Sequence, residues 1–141
     1  MEVAFIGLGA TGRGADDRLD SALAALADVD LRIAAIASPV VGPYVKADGR
    51  ADEALPRVLN TVAEVRTDAS PARLLERLSA VEADHGRIRD GRPDRSLDLD
   101  LLSWGRDVLT GAVLVPHPRA TARAFVLDPW AEIAPHAVVP G

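Results

Sequence analysis

Leucines at 97, 99 and 101 alternate with aspartates at 98 and 100 in the run Arg95-Ser96-Leu97-Asp98-Leu99-Asp100-Leu101-Leu102. A period of two marks a half-buried strand, so the pattern predicts a strand over 97–103 with its leucines in the core. Upstream, Leu74, Leu75, Leu78 and Val81 form the apolar stripe of a helix. Ser70 suits its N-cap, Pro71 its first position and Gly86 its stop. Glu82 lies four residues after Leu78. It therefore borders the stripe and can look toward a sheet instead of straight into water. An earlier helix is predicted from Ala15 to Ala27, with Leu19, Ala22, Leu23 and Leu26 on one face. Short strands are predicted over 3–8, over Leu31 to Ala37 (ended by Pro39 and Gly42-Pro43), around Val58 to Val65, and over Val113 to Val115. Lys46 to Glu53 reads as a polar loop, and a last short helix is expected from Phe125 to Ile133. Strands and helices are interleaved, which predicts layers of both. The pattern leaves parallel and antiparallel sheets open.

Composition narrows this picture modestly. A chain of 141 residues predicts a single domain, residues 1–141, with a core large enough to need no staples. There are no cysteines, which excludes disulfides, thiolate metal sites and cysteine nucleophiles. The start, Met1 to Gly7, has no basic stretch and only a short apolar run. No signal peptide or membrane span is expected, and the expected location is the cytoplasm. A net charge of −5 argues against nucleic acid as a partner. Small-molecule substrates and a monomer are the expectation. Lys46 is the one lysine among sixteen basic residues, so a lone arginine carries little information.

Two aspartates one pleat apart project from the same strand face. Their repulsion is relieved by a hard divalent cation, and Mg²⁺ is usually held by one or two carboxylates with phosphate oxygens and water. Arg87, Arg89, Arg92 and Arg95 lie just upstream and supply anion-binding groups. A solvent-facing charged row on a one-sided sheet gives the same alternation. A second motif competes for attention. Gly7-Leu8-Gly9-Ala10-Thr11-Gly12 matches the G-x-G-x-x-G dinucleotide fingerprint between a strand and a helix. The acidic residue expected at the end of the next strand is replaced by Ser38-Pro39-Val40, which weakens that match.

Three further segments align with the aspartate strand: Val58-Leu59-Asn60, Glu82 through Arg89, and Pro116-His117-Pro118-Arg119 continuing to Arg123-Ala124-Phe125-Val126-Leu127 and Ala131 to Pro135. In this order and spacing the chain resembles the 6-hydroxymethyl-7,8-dihydropterin pyrophosphokinases of folate biosynthesis. The resemblance runs over nearly the whole chain and is strongest from Asn60 to Pro135. It implies an α+β, ferredoxin-like fold with a mainly antiparallel sheet flanked by helices in layers. It also implies transfer of pyrophosphate from ATP to the pterin hydroxymethyl group, releasing AMP. By the same resemblance Asp98 and Asp100 would hold two Mg²⁺ ions, and Asp100 would help accept the hydroxyl proton. Arg87 and Arg95 would neutralise the moving phosphoryl charge, with Arg89 nearby. Glu82, Leu101, His117 and Arg123 would contact ATP. Asn60, Phe125 and the backbone around Gly42, Pro43 and Val45 would form the pterin pocket.

Several positions depart from the family pattern. Val58 stands where an aromatic usually faces the pterin, and the loop between Arg89 and Arg95 is short and lacks a tryptophan. Ala112-Val113-Leu114 replaces an Arg-x-Thr element, Ala10 to Arg13 replaces a Ser-Asn-Leu-Gly type turn, and Gly42 replaces a threonine. The metal and catalytic positions are kept while part of the substrate grip is lost. The alternatives are a divergent or non-catalytic nucleotide- or pterin-binding relative, and a dinucleotide-binding Rossmann-type protein. Taken singly, His117 also fits a surface loop, Phe125 a core and Glu82 a solvated helix edge.

Overall fold

The computed structural model describes residues 1–12, 14–45, 50–52, 57–85, 97–111, 113–117 and 130–134. Their elements are β1 (Glu2–Thr11), α1 (Ala15–Leu26), β2 (Leu31–Ile36), β3 (Val40–Gly42), β4 (Tyr44–Val45), β5 (Ala51–Asp52), β6 (Val58–Thr67), α2 (Pro71–Asp84), β7 (Leu97–Trp104), β8 (Leu109–Thr110) and β9 (Leu114–Val115). The main sheet has the order β2-β6-β1-β7, and β3 pairs beside β6. Every pairing in it is antiparallel. That result excludes the dinucleotide-binding alternative, which needs a parallel β-α-β unit. Gly7 and Gly9 lie inside β1, paired on both sides, and do not turn the chain into a helix.

Alternation assigns the two sheet faces. Ala4, Ile6, Leu8 and Ala10 of β1, Ala63 and Val65 of β6, and Leu97, Leu99 and Leu101 of β7 are buried in one cluster. Leu19, Ala22, Leu23 and Leu26 of α1 and Leu74, Leu78 and Val81 of α2 complete it. The helices therefore cover one face with the stripes the sequence predicts. Ser70 caps α2 by accepting a 3.2 Å bond from the Arg73 N–H, with Pro71 at the first helical position. The helix ends at Asp84, and the His85 N–H returns to the Val81 carbonyl at 3.0 Å. The stop predicted at Gly86 lies outside the described residues. Arg77 ties the helices together: its guanidinium donates to the Leu26 carbonyl and pairs with Asp28, both at 2.6 Å. One α2 side chain thus satisfies a carbonyl at the end of α1 that the helix leaves open.

The opposite face carries a smaller cluster of Phe5, Val62, Leu102 and Trp130. The Phe5 and Trp130 rings meet in a tilted arrangement with centroids 5.3 Å apart. Residues 130–133 form one helical turn, the described part of the helix predicted over 125–133. Glu132 Oε1 accepts from both the Ser38 N–H (3.0 Å) and the Ser38 hydroxyl (2.9 Å), fastening this turn to the break between β2 and β3.

Three expectations need correction. β1 extends to Thr11 and not to residue 8, because its glycines remain in the ladder. The chain after Pro39 re-enters the sheet as β3, where Val40 to Gly42 pair with Asn60 to Val58. The expected loop from Lys46 to Glu53 contains β5, which pairs with β4. Ladders of two or three residues are too short to show a period.

Leu78 is 1% exposed at the centre of the helix–sheet interface. Leu78→Ala is expected to lower stability by about 2–5 kcal/mol, against about 0.5–2 kcal/mol for loss of the cap in Ser70→Ala. Urea unfolding at equilibrium measures both. Equal effects would show that helix initiation, and not this packing, limits stability.

Candidate functional site

Because Leu97, Leu99 and Leu101 enter the helix-side core, Asp98 and Asp100 project from the other face. Their neighbours on β1 are Gly9 and Gly7. Across β1, Gly9 pairs with Asn60 of β6, which in turn pairs with Val40 of β3. One row of the sheet therefore reads Asp98, Gly9, Asn60, Val40. The next reads Asp100, Gly7, Val62. On the other side of the aspartate row, Thr11 pairs with Val58, and Val58 with Gly42. The backbones that carry Asp98 and Asn60 stand two strand spacings apart, roughly 10 Å, with Gly9 between them.

The glycines let their neighbours pack closely. A β-carbon on Gly9 would lie 3.2 Å from both Asn60 Oδ1 and a Val58 methyl, and one on Gly7 would lie 3.3 Å from Leu102. Asn60 is buried, and its Nδ2 donates to the Val58 carbonyl at 3.1 Å. That bond fixes the amide orientation and keeps Oδ1 beside Gly9. The glycines first read as a phosphate loop are instead strand positions that make room. Their spacing of two is common to both roles, and the strands that pair with them decide between the two.

β7 ends the sheet order among the described residues, and Glu82 and His117 both contact its outer edge. Glu82 Oε1, reaching from α2, accepts the Leu99 N–H at 2.6 Å, between the two aspartates. The Leu102 carbonyl accepts the His117 N–H at 2.9 Å. The same contact brings the His117 ring over the face, with Nε2 3.7 Å from Asp100 Oδ1. His117 is largely shielded, at 19% side-chain exposure, while Asp100 keeps 47%. Asp98 is exposed. Leu101 is buried among core residues, so only its backbone can meet a ligand.

The structure thus gathers Asp98, Asp100, Glu82 and His117 at one strand, and Asn60 and Gly42 across β1 from them. Pro43 follows β3, and the Val45 backbone belongs to β4. Arg87, Arg89, Arg95, Arg123 and Phe125 lie outside the described residues. The sequence reading missed the Glu132–Ser38 contact, which joins residues 94 positions apart and leaves no local pattern. Among the described residues no three His, Asp or Glu side chains gather into a metal cage. Two carboxylates nonetheless suit Mg²⁺, which keeps water and takes phosphate oxygens for its remaining positions.

Fold and face together define an α+β protein with helices on one side of an antiparallel sheet and its polar groups converging on the other. The family model for 7,8-dihydro-6-hydroxymethylpterin-pyrophosphokinase matches residues 5–135. A 2-amino-4-hydroxy-6-hydroxymethyldihydropteridine pyrophosphokinase of Haemophilus influenzae is 32% identical over 142 residues, spanning 99% of this chain and 86% of that protein. Its namesake from Bacillus subtilis is 35% identical over 93% of this chain and 77% of its own length. That of Pseudomonas aeruginosa is 46% identical over 94 residues, which cover 65% of this chain and 57% of the relative. The chain belongs to the 7,8-dihydro-6-hydroxymethylpterin-pyrophosphokinase family, transferases of folate biosynthesis. A kinase family implies ATP as a substrate. No helix among the described residues is long and apolar enough to cross a membrane.

Gly9→Val is expected to cost about 1–3 kcal/mol through overpacking and to displace the Asn60 amide. Urea unfolding and the Asn60 side-chain NMR signals test this together. Unmoved Asn60 signals would mean that the face has room to spare.

Proposed function

We propose that this chain transfers the pyrophosphoryl group of ATP to 6-hydroxymethyl-7,8-dihydropterin, on a ferredoxin-like fold and as a monomer. The sheet order with two helices on one face supports that fold. The observation that carries the reaction is the row Asp98, Gly9, Asn60, with Asp100 one pleat away. It offers a cation- and phosphate-facing side and a pterin-facing side on one face of the sheet.

In this reading the pterin hydroxyl oxygen attacks the β-phosphorus of ATP. The bond from that phosphorus to the bridging oxygen breaks, AMP leaves, and the hydroxyl proton passes to Asp100. Asp98 and Asp100 would hold two Mg²⁺ ions, which when bound neutralise phosphate charge and align the two reactants. Asn60 and the backbone at Gly42, Pro43 and Val45 would orient the pterin, and Phe125 would stack on it. His117, Glu82, Leu101 and Arg123 would fix ATP. Arg87 and Arg95, with Arg89 beside them, would stabilise charge as it develops on the transferred group. Positioning and electrostatics of this kind are most of what phosphoryl transfer asks of a protein.

Val58 favours a second reading, a relative with a looser or different pterin grip. It stands beside Gly9 and Asn60 in the row nearest Gly42, and loss of a stacking ring there weakens ligand binding by about 0.5–1.5 kcal/mol. Incubation with Mg²⁺, ATP and the pterin, following AMP and pterin diphosphate, separates the two. Equal amounts of both products, lost without Mg²⁺, are expected. ATP binding without AMP would support the second reading. Asp98→Ala and Asp100→Ala should each lower turnover by at least about 10²-fold. Full activity in both would remove the aspartates from the mechanism.

A further inference from the structure

The bond from the Leu99 N–H to Glu82 has a position that matters more than its strength. Leu99 separates Asp98 from Asp100, so its backbone angles set how the two carboxylates are spaced and aimed. In an antiparallel ladder, successive N–H groups point alternately toward and away from the partner strand. The Leu99 N–H points away from β1, toward an edge where, among the described residues, β7 has no further strand. Edge backbone without a partner exchanges with water and shifts. A break in register follows at once, because Phe5 pairs with Ser103 while Ile6 pairs with Leu101. Such bulges bend the strand that carries them.

Glu82 is suited to restrain this point. It stands on α2 beside Val81 and four residues after Leu78, both buried against the sheet. Its 2.6 Å contact is a short hydrogen bond. We propose that Glu82 is a positioning residue: through the Leu99 N–H it holds Asp98 and Asp100 in the arrangement that binds Mg²⁺. This rests on the metal reading given above. It assigns Glu82 work in the absence of ATP, distinct from contact with the nucleotide.

Reach and charge can be separated. Glu82→Gln keeps an acceptor at the same reach and loses the charge, whereas Glu82→Asp keeps the charge and shortens the reach. Amide hydrogen exchange at Leu99, measured by NMR without ligands, should match wild type in Glu82→Gln and accelerate in Glu82→Asp and Glu82→Ala. Mg²⁺ affinity without nucleotide, measured by titrating the backbone NMR signals of Asp98 and Asp100, should fall about 10–100-fold in the Asp and Ala variants, as loss of an outer-shell partner does. It should stay within about threefold of wild type in the Gln variant, whose acceptor remains. Wild-type Mg²⁺ affinity in Glu82→Asp with loss in Glu82→Gln would overturn the proposal in favour of a direct charge effect. Unchanged Leu99 exchange in all three would also overturn it. Asp98→Ala measured alongside locates the failure. If it too binds Mg²⁺ normally, the metal reading has failed; if it alone loses Mg²⁺, only the role of Glu82 has.

Discussion

The register of β1 against its two neighbours is the constraint on which this molecule turns. Strand side chains alternate with a period of two, so a slip of one residue would exchange the faces of a whole strand. For β7 that exchange would place Asp98 and Asp100 among the buried leucines and side chains of α2, and put Leu97, Leu99 and Leu101 on the polar face. Unpaired carboxylates in such a core are far costlier than any single contact in the sheet. The alternation that reads as a strand thus also forbids its misplacement. On the other side of β1, the same register brings Asn60 opposite Gly9.

Given that register, the face is shaped by subtraction. Gly7 and Gly9 remove the side chains that would fill the middle of the sheet, while Val62, Leu102, Phe5 and Trp130 fill one end of it. Packing on the helix side supplies the stability, and the other face keeps its polar groups apart. Family membership says which reaction such a face serves. It does not account for Val58, where the resemblance leads one to expect a stacking aromatic, and nothing in the structure explains that difference.

Much of this was legible because it is local. The stripe from Leu74 to Val81, the Ser70-Pro71 start and the alternation at 97–101 each show their period within a few residues. Glu82, at the border of its stripe, could look toward a sheet or into water, and it faces the sheet. The glycines misled because the same spacing serves a phosphate turn and a bare strand. Only pairing partners 50 or more residues away decide between them, as Gly9 with Asn60 does. β3 and β5 were hidden because two or three residues carry no rhythm. The Arg77 bond to α1 and the Glu132 bond to Ser38 depend on tertiary placement that no local pattern encodes.

The fastening of Glu132 to Ser38 also bears on the order of assembly. A chain emerging from the ribosome has β1, β2, β6 and β7 available before residue 130 exists. Until then Phe5 and Val62 lack the Trp130 ring that covers them. The ring that shields this part of the first strand is thus made well after it, so a nascent chain carries an apolar patch until Trp130 emerges. Transient apolar surface of this kind is what invites chaperones and aggregation. Closing it joins points nearly a hundred residues apart, a contact of the long-range type that forms late in folding.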